Sequence, residues 1–223
     1  MMGTEKLQKT CTSPKILLSI GIHTNGMVRK KRQGVEIKFP QILKGMKRGP
    51  AVIIPKDIGM VVSYTGIGKK SKVVEAGAGS AFATIVLGNI VKSVVSYERN
   101  AEFCELAKKN VEKAGLKNVK IKKGDLLEKG ITEKGVDLVL LDMPEADKAV
   151  GHAYQALVKD GYLVGFLPNM EQAREFYLAC EGEKFSEVFM LESIVREYEV
   201  RAYGVRPKHV GLMHTAYLVF ARK

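Results

Sequence analysis

The segment Val73-Val74-Glu75-Ala76-Gly77-Ala78-Gly79-Ser80-Ala81-Phe82 carries the residue types and spacing that point most directly to chemistry. A short apolar run enters a Gly-x-Gly turn, and a helical pattern follows. Glycine suits a turn that tight, where a ligand must come close to the backbone. The same turn can also close with no ligand at all. A dinucleotide fingerprint would place a third glycine at position 82, which is Phe82. Glu75, two residues before the first glycine, would repel a pyrophosphate. It suits a cationic ligand such as S-adenosylmethionine, which carries a sulfonium and an ammonium. Three more acids stand at strand ends further on: Glu98 after VVSY, Asp125 in Lys123-Gly124-Asp125 just after the third strand, and Asp142 after VDLVLL. An acid placed like Glu98 accepts hydrogen bonds from the ribose hydroxyls of an adenosine cofactor. One placed like Asp125 can meet an adenine amino group. Standing alone, each is an ordinary solvated strand-end acid. Together they converge on one crevice at the carboxyl ends of successive strands.

The elements that must position them read as follows. Lys72–Glu75, Ser93–Tyr97, Val119–Lys122, Val136–Leu141 and Tyr162–Leu167 are strands. Helices are expected at Phe82–Ile90, Ala101–Ala114, Ala146–Val158 and Met170–Glu181. Another opens at Pro55 and puts Ile58, Val61, Val62 and Ile67 on one face. The tail holds two long extended runs, Ser186–Val200 and Thr215–Ala221, with no helix between them. The alternation implies an α/β fold: a doubly wound, mostly parallel sheet closed by an antiparallel C-terminal hairpin at its edge. Before it, Ile16–Ile22 and the pieces flanking Gln33-Gly34 read as a small β appendage. The domains expected are therefore 1–48 for the appendage and 49–223 for the catalytic part.

Composition narrows the function classes. The 223 residues are 46% hydrophobic and 27% charged, enough for a packed core without staples. No apolar run is long enough to span a membrane, and the N-terminus lacks the apolar stretch of a signal peptide. Cys11, Cys104 and Cys180 have no CxxC spacing; they fit a reducing, cytoplasmic setting and suggest no metal site. The net charge is +12, and residues 1–50 carry +9 of it: eight Lys and three Arg against Glu5 and Glu36. Such asymmetry suits an anionic polymer, nucleic acid first, although a basic surface can also be merely solvated.

These motifs resemble those of class I S-adenosylmethionine-dependent methyltransferases, and more narrowly of the tRNA (adenine-N1)-methyltransferases that make 1-methyladenosine in the tRNA T-loop. The likeness covers about residues 47–223. It rests on Arg48-Gly49-Pro50, Pro55-Lys56-Asp57, EAGAGS at 75–80, SYER at 96–99 and DMPE at 142–145. Leu167-Pro168-Asn169, Arg196-Glu197-Tyr198-Glu199-Val200, Arg206-Pro207 and the closing segment Gly211–Val219 follow in the same order. Against the family pattern, Ala81 replaces a glycine and Ile54 an aromatic. No Trp follows the DMPE segment, and two residues separate Gly211 from His214.

The resemblance implies a seven-stranded Rossmann-like sheet with S-adenosylmethionine as cofactor. Glu75, Gly77, Ala78, Gly79, Ser80, Ala81, Glu98, Asp125 and Asp142 would hold it, and Asp142 would also be the catalytic residue. It further implies a homotetramer and a tRNA substrate methylated at adenosine 58, 57 or both. Adenine N1 has an in-plane lone pair and no proton, so methylation there needs orientation and a nearby carboxylate rather than a general base. The target base must be flipped from the T-loop. Arg29, Lys30, Lys31 and Arg32 are the expected phosphate contacts. His214 is a second candidate for substrate contact or a structural strand-start residue; Asn169 either caps a helix or points into the crevice. The alternatives are methylation of another RNA, a protein or a small molecule, and an RNA-binding subunit of the same fold without catalysis.

Overall fold

The computed structural model describes residues 37–49, 51–209, 211 and 213–223. Seven strands form one sheet: β1 (Lys72–Ala76), β2 (Ser93–Glu98), β3 (Val119–Lys123), β4 (Val136–Leu141), β5 (Leu157–Leu167), β6 (Glu187–Glu192) and β9 (Tyr217–Arg222), in spatial order β3-β2-β1-β4-β5-β9-β6. All run parallel except β9, which is antiparallel to both neighbours. β7 (Tyr198–Arg201) and β8 (Gly204–Pro207) form a separate antiparallel hairpin. The helices are α1 (Pro55–Thr65), α2 (Phe82–Gly88), α3 (Ala101–Lys113), α4 (Leu126–Lys129), α5 (Val150–Ala156) and α6 (Met170–Gly182). Among the described residues, no helix is long and apolar enough to cross a membrane.

The central strands are apolar on both faces because helices cover both. Leu138, Val139, Leu140 and Leu141 of β4 are fully buried. One face packs Val139 and Leu163 against Ala153 and Phe176 of α5 and α6. The other packs Leu138, Leu140 and Phe220 against Val61 of α1 and Leu87 of α2. At the sheet edge, β3 reads VKIKK, and its lysines discourage further strand pairing.

Local chemistry sets the helix starts. Pro55 occupies the first turn of α1, and Gly66 ends it in the left-handed conformation. Asn100 caps α3 by accepting from the amides of Glu102 and Phe103. Phe39 meets Phe82 edge-on at 5.2 Å, and Leu43 is buried with Ile85 and Ala107. The described end of the expected appendage thus packs on α2 and α3. Its residues 1–36, with the expected strand Ile16–Ile22 and most of the extended pieces expected within Met27–Phe39, lie outside the described residues, and the described residues 37–39 are not strand.

The tail differs from the expected edge hairpin. The run 186–200 breaks after Glu192, and β7–β8 is inserted before the chain returns as β9. β9 pairs with β6 as expected, but it enters between β5 and β6, leaving β6 at the edge. The expected helix 146–158 is a 3-10 turn at Ala146–Ala149 followed by α5, and β5 begins already at Leu157.

Candidate active site

The carboxyl ends of β1, β2 and β4 and the loop after β3 open onto a crevice of about 200 Å³. Glu75, Glu98, Asp125 and Asp142 all line it, with Gly77, Ala78, Gly79 and Ser80. The β1 and β4 ends are drawn together by the Asp142 amide, which donates to the Ala76 carbonyl at 2.9 Å. Gly77 is required there: its φ is 91°, and a Cβ would sit 1.8 Å from the Asp142 carbonyl oxygen. The next turn residues lead into α2 through Ala81, whose φ of 63° is the left-handed conformation that glycine adopts more easily. Ala81 is fully buried behind the turn and is not part of the crevice lining.

Each acid has a distinct setting. Glu75 is buried and accepts a hydrogen bond from the Thr84 hydroxyl. Burial pushes its carboxyl up to about 7; the Thr84 and Ser96 hydroxyls only partly offset this, and the charges of Asp142 and Glu98 add to it. Asp142, half-buried at the end of β4, is likewise raised to about 7, first by desolvation and then by Glu98. Glu98 accepts from the Gly79 amide through Oε2 and from the Asn100 amide through Oε1, both at 2.8 Å. Each oxygen keeps a free lone pair for a ribose hydroxyl. Asp125 caps α4 by accepting from the Leu127 amide, and its other oxygen lies 3.8 Å from Arg99 Nη1.

The donor set fits a cationic adenosine ligand. Four carboxylates line one crevice; burial and then neighbouring groups shift Glu75 and Asp142, and no lysine or arginine is among those groups. A sulfonium and an ammonium would relieve that crowding, and Glu98 and Asp125 could accept hydrogen bonds from a ribose and an adenine edge.

The remaining expected substrate residues lie elsewhere. Asn169 caps α6, accepting from the Gln172 amide at 2.9 Å. His214 lies outside the crevice lining, with Nδ1 2.6 Å from Glu192 Oε1 and Nε2 3.2 Å from the Pro168 carbonyl. Arg29, Lys30, Lys31 and Arg32 fall outside the described residues. Sequence reasoning missed the wall formed by Ala51, Val52 and Ile53, which has no motif of its own, and Thr84, one turn into α2. Asn110 is another omission. Its amide nitrogen donates to the carbonyls of Lys47 and Ser80, each at 2.8 Å, and so braces the glycine turn from behind.

This strand order, with an acid beside the end of each of its first four strands and a glycine turn beneath them, defines an S-adenosylmethionine-dependent methyltransferase of the Rossmann-like kind. A solved S-adenosylmethionine-dependent O-methyltransferase from Thermotoga maritima superposes with a TM-score of 0.78 at 30% identity, covering 82% of this chain and 71% of that one. For the tRNA (m1A58) methyltransferase TrmI from Aquifex aeolicus the TM-score is 0.75 at 28% identity, covering 81% and 73%. The tRNA (adenine(57)-N(1)/adenine(58)-N(1))-methyltransferase TrmI of Methanocaldococcus jannaschii is 35% identical, over 84% of this chain and 77% of that protein. The family model described as "tRNA methyltransferase complex GCD14 subunit" matches residues 46–210. The chain belongs to that tRNA (adenine-N1)-methyltransferase family.

Proposed function

We propose that the protein methylates N1 of an adenosine in the tRNA T-loop, at position 58, 57 or both, with S-adenosylmethionine as donor. The observation that carries this is the four-acid crevice around the glycine turn, in a chain 35% identical to a methyltransferase named for both positions. When bound, the cofactor supplies an electrophilic methyl group on a sulfonium. Glu98 holds the ribose, and Asp125 the adenine edge. Asp142 accepts from the amino group of the target base and stabilises the positive charge that methylation places on the ring. Its half-buried position beside Glu75 and Glu98 makes that carboxylate favour a cation. The test is nucleoside analysis of unmodified tRNA after incubation with protein and cofactor. Release of 1-methyladenosine is expected, and its absence with active, cofactor-binding protein would refute the reading.

The basic appendage, residues 1–48, grips tRNA phosphates through Arg29, Lys30, Lys31 and Arg32. Reversing these four to Glu should weaken tRNA binding and flatten its salt dependence while leaving cofactor affinity unchanged. The protein acts in the cytoplasm as a homotetramer. The exposed Tyr198, Val200, Tyr203 and Val205 of the β7–β8 hairpin support self-association, because exposed apolar side chains gathered on one element favour a covering partner. Light scattering giving a monomer mass would exclude the tetramer, and cell fractionation tests the compartment.

A further inference from the structure

A second charged cluster lies outside the crevice, where the four acids play no part. The Asp57 carboxylate, in the first turn of α1, is fully buried. Lys56 Nζ, its side chain only 9% exposed, lies 2.7 Å from Asp57 Oδ1. It also donates to the Thr215 hydroxyl and the Ser193 carbonyl, each at 2.6 Å. The Thr215 hydroxyl in turn donates to Asp57 Oδ2 at 2.8 Å. All three ammonium protons have acceptors, and both carboxylate oxygens have donors. A buried ion pair is a weak source of stability, since apolar residues of the same volume often do as well. What this one does provide is a single relative placement of the three segments that meet at it.

One of those segments adjoins the crevice wall, and the other two flank the excursion that carries β7 and β8. Lys56 lies three residues after Ile53, the last residue of the crevice wall formed by 51–53. Ser193 follows β6, and Thr215 precedes β9, so the cluster clamps both ends of the excursion that carries β7 and β8. Next to Thr215, His214 bridges Glu192 at the end of β6 and the Pro168 carbonyl just after β5. β5 lies beside β4, whose end carries Asp142. The cofactor acceptors Glu75, Glu98 and Asp125 belong to other strand ends, and none of them touches the cluster.

We propose that Lys56, Asp57 and Thr215 are positioning residues for methyl transfer, locking the 51–53 wall and the 193–215 excursion against the strand ends beside Asp142. The proposal rests on the tRNA methyltransferase reading. The cluster orients the acceptor base relative to the crevice, and its hydrogen bonds go to none of the cofactor's polar acceptors Glu75, Glu98 and Asp125. Its loss therefore lowers the rate at saturation more than it lowers cofactor affinity.

Thr215→Val and Thr215→Ser separate this from a plain packing role. Valine keeps the shape but removes a donor from Asp57 and an acceptor from Lys56; serine keeps both. In single-turnover methylation with saturating tRNA and cofactor, Thr215→Val should be at least about tenfold slower, and Thr215→Ser should recover most of the rate. S-adenosylmethionine affinity by calorimetry should stay within about threefold in both variants. Circular dichroism and thermal melting establish that they are folded. If Thr215→Val does not fold, Asp57→Asn, which keeps the shape and weakens the hold on Lys56, is read in the same way. A folded variant at more than a third of the wild-type rate overturns the proposal, and so does a cofactor affinity that falls in step with the rate. The wild-type arm keeps the two readings apart. No methylation of tRNA by wild type refutes the function, whereas normal wild-type activity with an equally active Thr215→Val refutes only the positioning role.

Discussion

Glu75 makes the stability of the ligand-free protein depend on pH in a direction opposite to that of an ion-paired acid. Its carboxyl titrates near 7 in the folded chain against 4.5 in the open chain, because burial penalises the charged form. Between those pH values the folded state holds a proton that the unfolded state has released. Glu75 therefore contributes stability that is fully present below about pH 4.5 and lost as the pH rises through about 7. At about 1.4 kcal/mol per pH unit, the shift corresponds to roughly 3 kcal/mol, a large share of the 5–15 kcal/mol typical of a domain. Glu75→Gln keeps the size and removes the titration. Urea unfolding of both proteins at pH 5, 6, 7 and 8 should show the wild type losing roughly 2.5 kcal/mol more than the variant across that range. The difference between the two curves isolates Glu75 from Asp142 and His214, which are raised as well. Saturating S-adenosylmethionine should flatten the wild-type curve, because a cation beside the carboxylate lowers its pKa again. The variant should bind the cofactor more weakly even where it is the more stable protein. Parallel curves, within about 1 kcal/mol of a constant offset over the range, would show that Glu75 ionises like an exposed acid and would remove the desolvation argument.

Three further outcomes follow from the site. Glu98→Ala strips the acceptor from the ribose end; each lost hydrogen bond to a charged group is worth roughly 1.5–3 kcal/mol, so calorimetric cofactor affinity should fall at least about tenfold. Asp142→Asn should bind tRNA almost normally yet methylate about 10²-fold more slowly in single turnover, and a rate within about threefold of wild type would end its catalytic assignment. Ala81→Gly removes left-handed strain at a φ of 63° and should raise stability by about 0.5–1 kcal/mol, seen as a higher melting temperature. A lower one would show that the buried Ala81 methyl packs more favourably than its backbone is strained.

The parts of this protein that could be read from the chain alone are those encoded within a few neighbouring residues. Glu75, Gly77 and Gly79 stand in one strand–turn–helix unit, and the acids at 98, 125 and 142 each sit at the end of a strand pattern. Strand periodicity places the run, and the run places its terminal acid, so the crevice follows once parallel strands are assumed. The start of α1 was equally legible, because Pro55 and the spacing of Ile58 and Val61 are local signals. Tertiary structure alone decided the rest. Nothing in the sequence between 186 and 221 says that β9 enters between β5 and β6, since strand order is set by which buried faces match across the sheet. The two extended runs were visible; the break at 193 and the separate β7–β8 pair were not. The wall at 51–53 has no motif and becomes part of the site only because α1 packs where it does. Lys56 and Thr215 are 159 positions apart, and their part-buried hydrogen bond exists because the fold brings both to the buried Asp57 carboxylate and largely shields the Lys56 ammonium from water.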